Sequence, residues 1–130
     1  MSITKDGITL HSTSKITSGA GVYGNGTDYR FYKSSTLEVS STVGNITKVV
    51  FTCTASDKKK FGPGNFTAPS TGTYSYSGKT GTWTGDAASF TLTASGSQVR
   101  ATKVEVTYTK VEAGKTTTTL TFADGSDKTF

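Results

Sequence analysis

One cysteine and one histidine in 130 residues remove most catalytic and metal-binding chemistry from this chain. Cys53 alone can form neither an intrachain disulfide nor a cysteine-based metal site. It lies in Lys48-Val49-Val50-Phe51-Thr52-Cys53, on the face shared by Val49 and Phe51, where a free cysteine packs as a small hydrophobe. A reactive thiol needs a partly exposed setting with a depressed pKa, which an apolar strand does not offer. His11 has the parity opposite to Ile8 and Leu10, so it points to solvent. No nucleophile–base pair and no imidazole cluster can be assembled.

Long apolar runs are also missing. The longest is Val49-Val50-Phe51, far short of a membrane span. Residues 1–6 are short and polar, so no signal peptide is expected. Either an export signal has been removed or the chain leaves the cytoplasm by another route. No window carries an apolar i, i+3, i+4, i+7 stripe, and the abundant Gly, Ser and Thr are poor helix material. Hydrophobic residues make up 32% and charged residues 18%, both low, and Ser plus Thr fill about a third of the chain. Disorder pairs low hydrophobicity with high net charge, whereas this chain has only +5 and 11% aromatics, so it folds.

What is present is threonine alternating with apolar residues. Ala88-Ser89-Phe90-Thr91-Leu92-Thr93-Ala94 and Val104-Glu105-Val106-Thr107-Tyr108 each place an oily side chain at every second position. Strand side chains alternate between faces, so each run has one dry and one hydroxylated face. Such runs recur about every ten residues between turn clusters. They predict strands at 7–12, 29–32, 36–41, 46–55, 72–77, 80–84, 88–94, 99–110 and 116–122. The fold class is all-β: an antiparallel β-sandwich of eight to nine strands, either jelly-roll or Ig-like. Residues 1–110 form the sandwich. Residues 111–130 are a C-terminal strand extension that completes the sheet or pairs with a neighbour's edge.

Two connections stand out as candidate binding loops. The first is Ser18-Gly19-Ala20-Gly21-Val22-Tyr23-Gly24-Asn25-Gly26-Thr27, whose glycines permit tight turns but which opens no helix, so a phosphate-binding loop is excluded. The second spans residues 57–70 and carries Lys58-Lys59-Lys60, Phe61-Gly62-Pro63-Gly64 and Phe66, longer than an ordinary hairpin turn. The triple lysine reads as a solvated loop, and with a pI near 9.4 it suits an anionic glycan as well as a polynucleotide. No further basic stripe supports nucleic acid, which is not expected as a partner.

Aromatic side chains are the better clue to a ligand, because sugar rings stack on them. Tyr74 and Tyr76 share one face, a flat platform if outside and plain core if inside; Trp83 reads as a core anchor. The candidate ligand-binding set is Tyr23, Asn25, Tyr29, Lys59, Phe61, Phe66, Tyr74 and Tyr76. The nine carboxylates sit mostly in turns or on wet strand faces, with no spacing that pairs two for catalysis. A calcium site using Asp57, Asp86 or Asp124 stays open, although the dense Asp-x-Asp pattern of a calcium loop is missing. No cofactor, resident metal or catalytic residue is expected. Three Asn-x-Thr triplets begin at Asn25, Asn45 and Asn65, and chance explains them in so threonine-rich a chain.

Several segments together carry a resemblance. They are Thr27-Asp28-Tyr29-Arg30-Phe31-Tyr32-Lys33 with Ser35-Thr36-Leu37-Glu38-Val39-Ser40, and Ile46-Thr47-Lys48-Val49-Val50-Phe51-Thr52-Cys53. Thr82-Trp83-Thr84-Gly85-Asp86-Ala87 with Phe90-Thr91, and the run from Gln98 to Tyr108, continue the series. Over about residues 7–109 the chain resembles a β-sandwich domain of large extracellular surface proteins of gut Bacteroidota, found beside adhesion or carbohydrate-active modules. Related modules occur on virions of phages infecting such hosts. The resemblance implies extracellular display on a cell or virion surface and non-enzymatic adhesion or carbohydrate binding. It brings no catalytic residues. The expected partners are glycans or cell-surface polysaccharide, with no membrane insertion. The alternative is a structural or decoration protein of a virion or fibre, assembling through sheet edges or its C-terminal strand. The absence of a leader and the short length favour the virion setting.

Overall fold

Period-two alternation closes here into two facing antiparallel sheets. The computed structural model describes residues 2–13, 16–17, 28–110 and 116–122, with only the backbone at Ile16 and Thr17. One sheet runs in the order β1 (Ser2–Lys5), β2 (Ile8–Ser12), β5 (Thr36–Ser41), β10 (Ser89–Ala94) and β7 (Phe66–Thr67). The other runs β3 (Ile16–Thr17), β4 (Tyr29–Phe31), β11 (Val99–Lys110), β6 (Gly44–Cys53), β9 (Thr80–Ala87) and β8 (Thr73–Ser77). β12 (Thr117–Phe122) pairs with β11 from Val104 to Thr109, beyond the stretch that β4 pairs at Val99–Ala101. The order β2-β5-β10-β7 against β12-β11-β6 is the A-B-E-D against G-F-C order of Ig-type sandwiches, with the β8–β9 hairpin added beside β6. The fold is thus the expected antiparallel sandwich, in its Ig-like form.

Every long strand alternates buried and wet positions. Leu37 and Val39 of β5, and Phe90, Leu92 and Ala94 of β10, face Val49, Phe51 and Trp83 of the opposite sheet. Two strands change parity midway. β11 buries Val99 and Ala101, then Val104, Val106 and Tyr108; β6 buries Ile46, then Val49, Phe51 and Cys53. The β6–β11 register shifts at just these places, between Ala101 and Lys103 and between Thr107 and Tyr108. An extra residue in one strand reverses which side chains face inward, and these bulges let both halves of each strand contribute to one core.

Among the described residues there are twelve strands, where the sequence pattern predicts nine. β1, β3 and β7 are additional, and β9 runs on to Ala87. β1 is the outer arm of a hairpin in which Ile3 pairs with Leu10 across an Asp6-Gly7 turn. Both turn residues have positive φ, 49° and 85°, as a type I′ turn requires. Of the C-terminal extension, β12 buries Leu120 and Phe122 in this sandwich. The remaining residues, 111–115 and 123–130, lie outside the described set, and so does the 18–27 loop.

Candidate functional site

The connection from β6 to β7 is a folded loop. Its sequence dictates a series of tight turns, because Gly62 and Gly64 leave no room for a side chain. A Cβ at Gly62 would lie 2.4 Å from the Asp57 carbonyl oxygen. The chain instead closes on itself through short backbone bonds. Lys59 N–H donates to Ser56 O, Gly62 N–H to Lys59 O and Gly64 N–H to Asp57 O, at 3.0, 2.8 and 2.8 Å. Pro63–Asn65 forms one 3-10 turn. Asn65 is buried, and its amide nitrogen donates to the carbonyls of Lys59 at 2.8 Å and Gly62 at 3.1 Å. One buried amide thus fixes the backbone under the exposed lysines.

The same loop is fastened at two places to the sheet that holds β11, β9 and β8. Asp57 N–H donates to Gly78 O at 2.7 Å, and Gly78 N–H donates back to the Asp57 carboxylate at 3.1 Å. Phe61 forms a parallel bridge with Val99, donating to Gln98 O and accepting from Arg100 N–H. Phe61 has φ 79°, an unusual conformation for a bulky residue. Its ring lies under the Arg100 guanidinium, 3.6 Å from the ring centre, with the Lys60 ammonium 5.3 Å away. The Arg100 Nε donates to Gln98 Oε1 at 2.5 Å, which sets the plane of the guanidinium.

This end of the sandwich concentrates charge. Lys33, Lys58, Lys59, Lys60, Lys79 and Arg100 all lie there, against one carboxylate, Asp57. The other five described cations are Lys5, Arg30, Lys48, Lys103 and Lys110. Five carboxylates, Asp6, Asp28, Glu38, Asp86 and Glu105, balance them. Two of these balancing pairs are in direct contact, Arg30–Asp28 at 3.2 Å and Lys103–Glu105 at 3.5 Å. The five net positive charges of the described residues therefore reside at one end, where field lines converge on an approaching polyanion.

The aromatic candidates divide differently from the sequence expectation. Tyr29 and Phe66 are core residues, 1% and 2% exposed, because both sit on inward-facing strand positions. They are unavailable to a ligand, which corrects their place in the candidate set. Tyr74 is largely covered as well. Its hydroxyl donates to Pro63 O at 2.7 Å, its ring meets Phe51 and Phe66 edge-on, and burial raises its pKa, with Cys53 and Tyr76 adding to the shift. Tyr76 is 38% exposed, and Lys59 and the half-buried Phe61 remain at the surface. Tyr23 and Asn25 lie outside the described residues. Trp83 is buried, as expected of a core anchor.

Arg100, Gln98, Lys33, Lys79 and Asn65 were not in the sequence-derived set. Only Arg100 left a trace: its parity opposes Val99 and Ala101, so it had to point out of the core.

Exposed His11 lies beside Ser2, with Nδ1 and Oγ 2.6 Å apart, and is in register with Glu38. Among the described residues no three His, Cys, Asp or Glu side chains converge on a metal position. Asp57 caps Gly78, and Asp86 accepts from the Asn45 amide at 3.0 Å; Asp124 is outside the described residues.

No protein-family model, curated protein or solved structure matches this chain.

Proposed function

We propose that this chain is a non-enzymatic, surface-displayed adhesion module that binds acidic polysaccharide through the basic end of its sandwich. The observation that supports this reading is the pairing of charge with rigidity. Lys58, Lys59 and Lys60 project from a loop that Asn65, Gly62, Gly64 and the Phe61–Val99 bridge hold in one geometry, and Arg100 on β11 joins them over the Phe61 ring. A preordered cationic surface loses little conformational entropy when it docks, so modest contacts suffice for binding. Lysine suits this role as a solvated point charge that tolerates varied spacing of carboxylate or sulfate groups along a polymer. Phe61 and Arg100 offer a stacked surface beside those charges for the apolar face of a sugar ring.

The test is retention on immobilised or gel-embedded polysaccharides. A uronic-acid or sulfated polymer should retard the protein, a neutral glucan should not, and Lys58→Glu/Lys59→Glu/Lys60→Glu should release it. Equal retardation by neutral glucan, or acidic retention untouched by the triple variant, overturns the proposal. Preference for single-stranded DNA over every acidic glycan would reassign the same surface to nucleic acid.

A second reading is a structural subunit that decorates a virion or builds a surface fibre. It draws on a different observation, the open outer edge of β8.

A further inference from the structure

The edges of the two sheets are not equally guarded. In the five-stranded sheet, β1 is short and ends at Lys5, and β7 has two residues followed by Ala68-Pro69. In the other sheet, the outer edge of β12 is occupied at Thr121, whose carbonyl accepts the Lys5 ammonium at 3.1 Å. Charged side chains, proline and brevity are the usual protections of a strand edge. β8 has none of them. Thr73-Tyr74-Ser75-Tyr76-Ser77 is uncharged, keeps an unbroken register with β9 and, apart from half-buried Tyr74, is exposed throughout. Tyr76 is also the one exposed large hydrophobic side chain among the described residues.

Backbone parity identifies the groups on that open edge. The two-residue Gly78-Lys79 turn joins Ser77 to Thr80, the closing pair whose peptide groups face one another. Cys53 N–H donates to Lys79 O, so residues 79, 81 and 83 turn their backbone groups towards β6, and 80, 82 and 84 towards β8. Thr73, Ser75 and Ser77 therefore face β9. The peptide N–H and C=O groups of Tyr74 and Tyr76 point outward.

We infer that β8 is a self-association edge, at which two copies of this chain pair antiparallel about a twofold axis through Ser75. The segment is nearly palindromic. The axis sets Tyr74 of one copy opposite Tyr76 of the other, Thr73 opposite Ser77, and Ser75 opposite itself. Tyr74 and Tyr76 are the residues with outward backbone groups, so both Tyr–Tyr pairs fall at hydrogen-bonded positions and bring aromatic side chains together on one face. Such an isologous contact closes as a dimer and leaves no further β8 edge. Antiparallel pairing also points the two basic ends in opposite directions, so like charges stay apart, and the dimer offers a basic end to each of two polyanion chains. The contact is small, of the size that gives weak, concentration-dependent association.

Sedimentation equilibrium over about 10 µM to 1 mM tests this, a span that covers the weak end of protein–protein affinities. The wild type should rise from monomer towards dimer mass. Ser75→Lys places like charges on the axis, and Tyr76→Pro removes an outward N–H without touching the β9 ladder; both should remain monomeric with unchanged circular dichroism. Oxidative crosslinking supplies a readout of register. Ser75→Cys should crosslink to itself, because facing residues at a non-hydrogen-bonded pair lie within disulfide reach. Thr73→Cys should crosslink with Ser77→Cys in a mixture but with neither itself nor Ser75→Cys. A wild type that stays monomeric throughout, association that survives Ser75→Lys, or crosslinking without this pattern overturns the proposal.

Discussion

Trp83 of β9 and Phe90 of β10 stack across the two sheets, ring centres 3.8 Å apart and planes 3° from parallel. The indole N–H donates to Thr71 O at 2.8 Å, so the ring's one polar atom is satisfied as it leaves water. Its edge is received by two glycines: a Cβ would lie 2.6 Å from the ring at Gly85 and 2.7 Å at Gly72, where φ is also +74°. Trp83→Ala should cost about 3–5 kcal/mol, the loss typical of an emptied aromatic site. Gly85→Ala should cost about 1–3 kcal/mol by overpacking, though it adds one methyl group. Urea unfolding measures both. A Gly85→Ala midpoint equal to wild type would mean that the indole moves aside freely.

Asn65 acts at the basic end without facing a ligand. Asn65→Ala removes the side-chain donor from the Lys59 and Gly62 carbonyls, which keep their backbone donors Gly62 N–H and Asn65 N–H, a loss of about 0.5–1.5 kcal/mol per bond. The larger effect should be local. Amides of Gly62 and Gly64 should exchange with solvent at least tenfold faster, while those of β10 and β11 keep nearly wild-type protection. Acidic-polysaccharide retention should weaken in parallel, although every lysine is intact. Unchanged retention in a loosened loop would show that charge suffices without rigidity.

Phe61 sets backbone strain against ring contacts. A left-handed conformation at a bulky residue costs about 1–3 kcal/mol, and an exposed cation–π contact returns about 0.5–1 kcal/mol. Phe61→Gly relieves the first and forfeits the second, so its stability should lie within about 1 kcal/mol of wild type or above it. Retention on acidic polysaccharide should fall, because the surface that orients Arg100 is gone. Chemical denaturation and affinity electrophoresis on one preparation separate the two effects. Lost stability with intact retention would assign the ring a purely structural role.

The strands were legible because alternation depends only on neighbouring residues. β5, β10 and β11 appear in the sequence almost to the residue. Period two shows which residues share a face, but not how much of that face is covered. Tyr74 and Tyr76 share a face and differ in exposure because β8 is an edge strand. Tyr74 stands opposite Trp83 and reaches Pro63, whereas Tyr76 stands opposite side-chain-free Gly81, past the cover of the loop. Tyr29 and Phe66 misled for a related reason, since short strands beside loops look exposed until the opposite sheet is in place. Asp6-Gly7 was a readable turn signal, flanked as it is by alternating Ile3 and Ile8-Thr9-Leu10. The basic end was not readable. Lys33, Lys79 and Arg100 are far from Lys58–Lys60 in sequence, and only the crossings between sheets bring them to one end.

Cys53 gives the fold an alkaline limit. The thiol sits on the inner face of β6, 3% exposed, and burial pushes its pKa from 9.0 up to about 12. A thiolate is therefore far more favourable in the unfolded chain than in the native one. Stability is unaffected by this group below pH 9 and falls as pH rises from 9 towards 12, at about 1.4 kcal/mol per pH unit. Tyr74, also raised by burial, steepens the fall once an unfolded tyrosine begins to ionise. Cys53→Ala removes the thiol's share, so its urea midpoint should decline less between pH 9 and 10.5 than that of the wild type, despite a lower starting value. At pH 8 a disulfide reagent should modify native protein only as fast as it opens, and unfolded protein at once. Rapid labelling of the native state would place the thiol in contact with water and remove the basis for the alkaline slope.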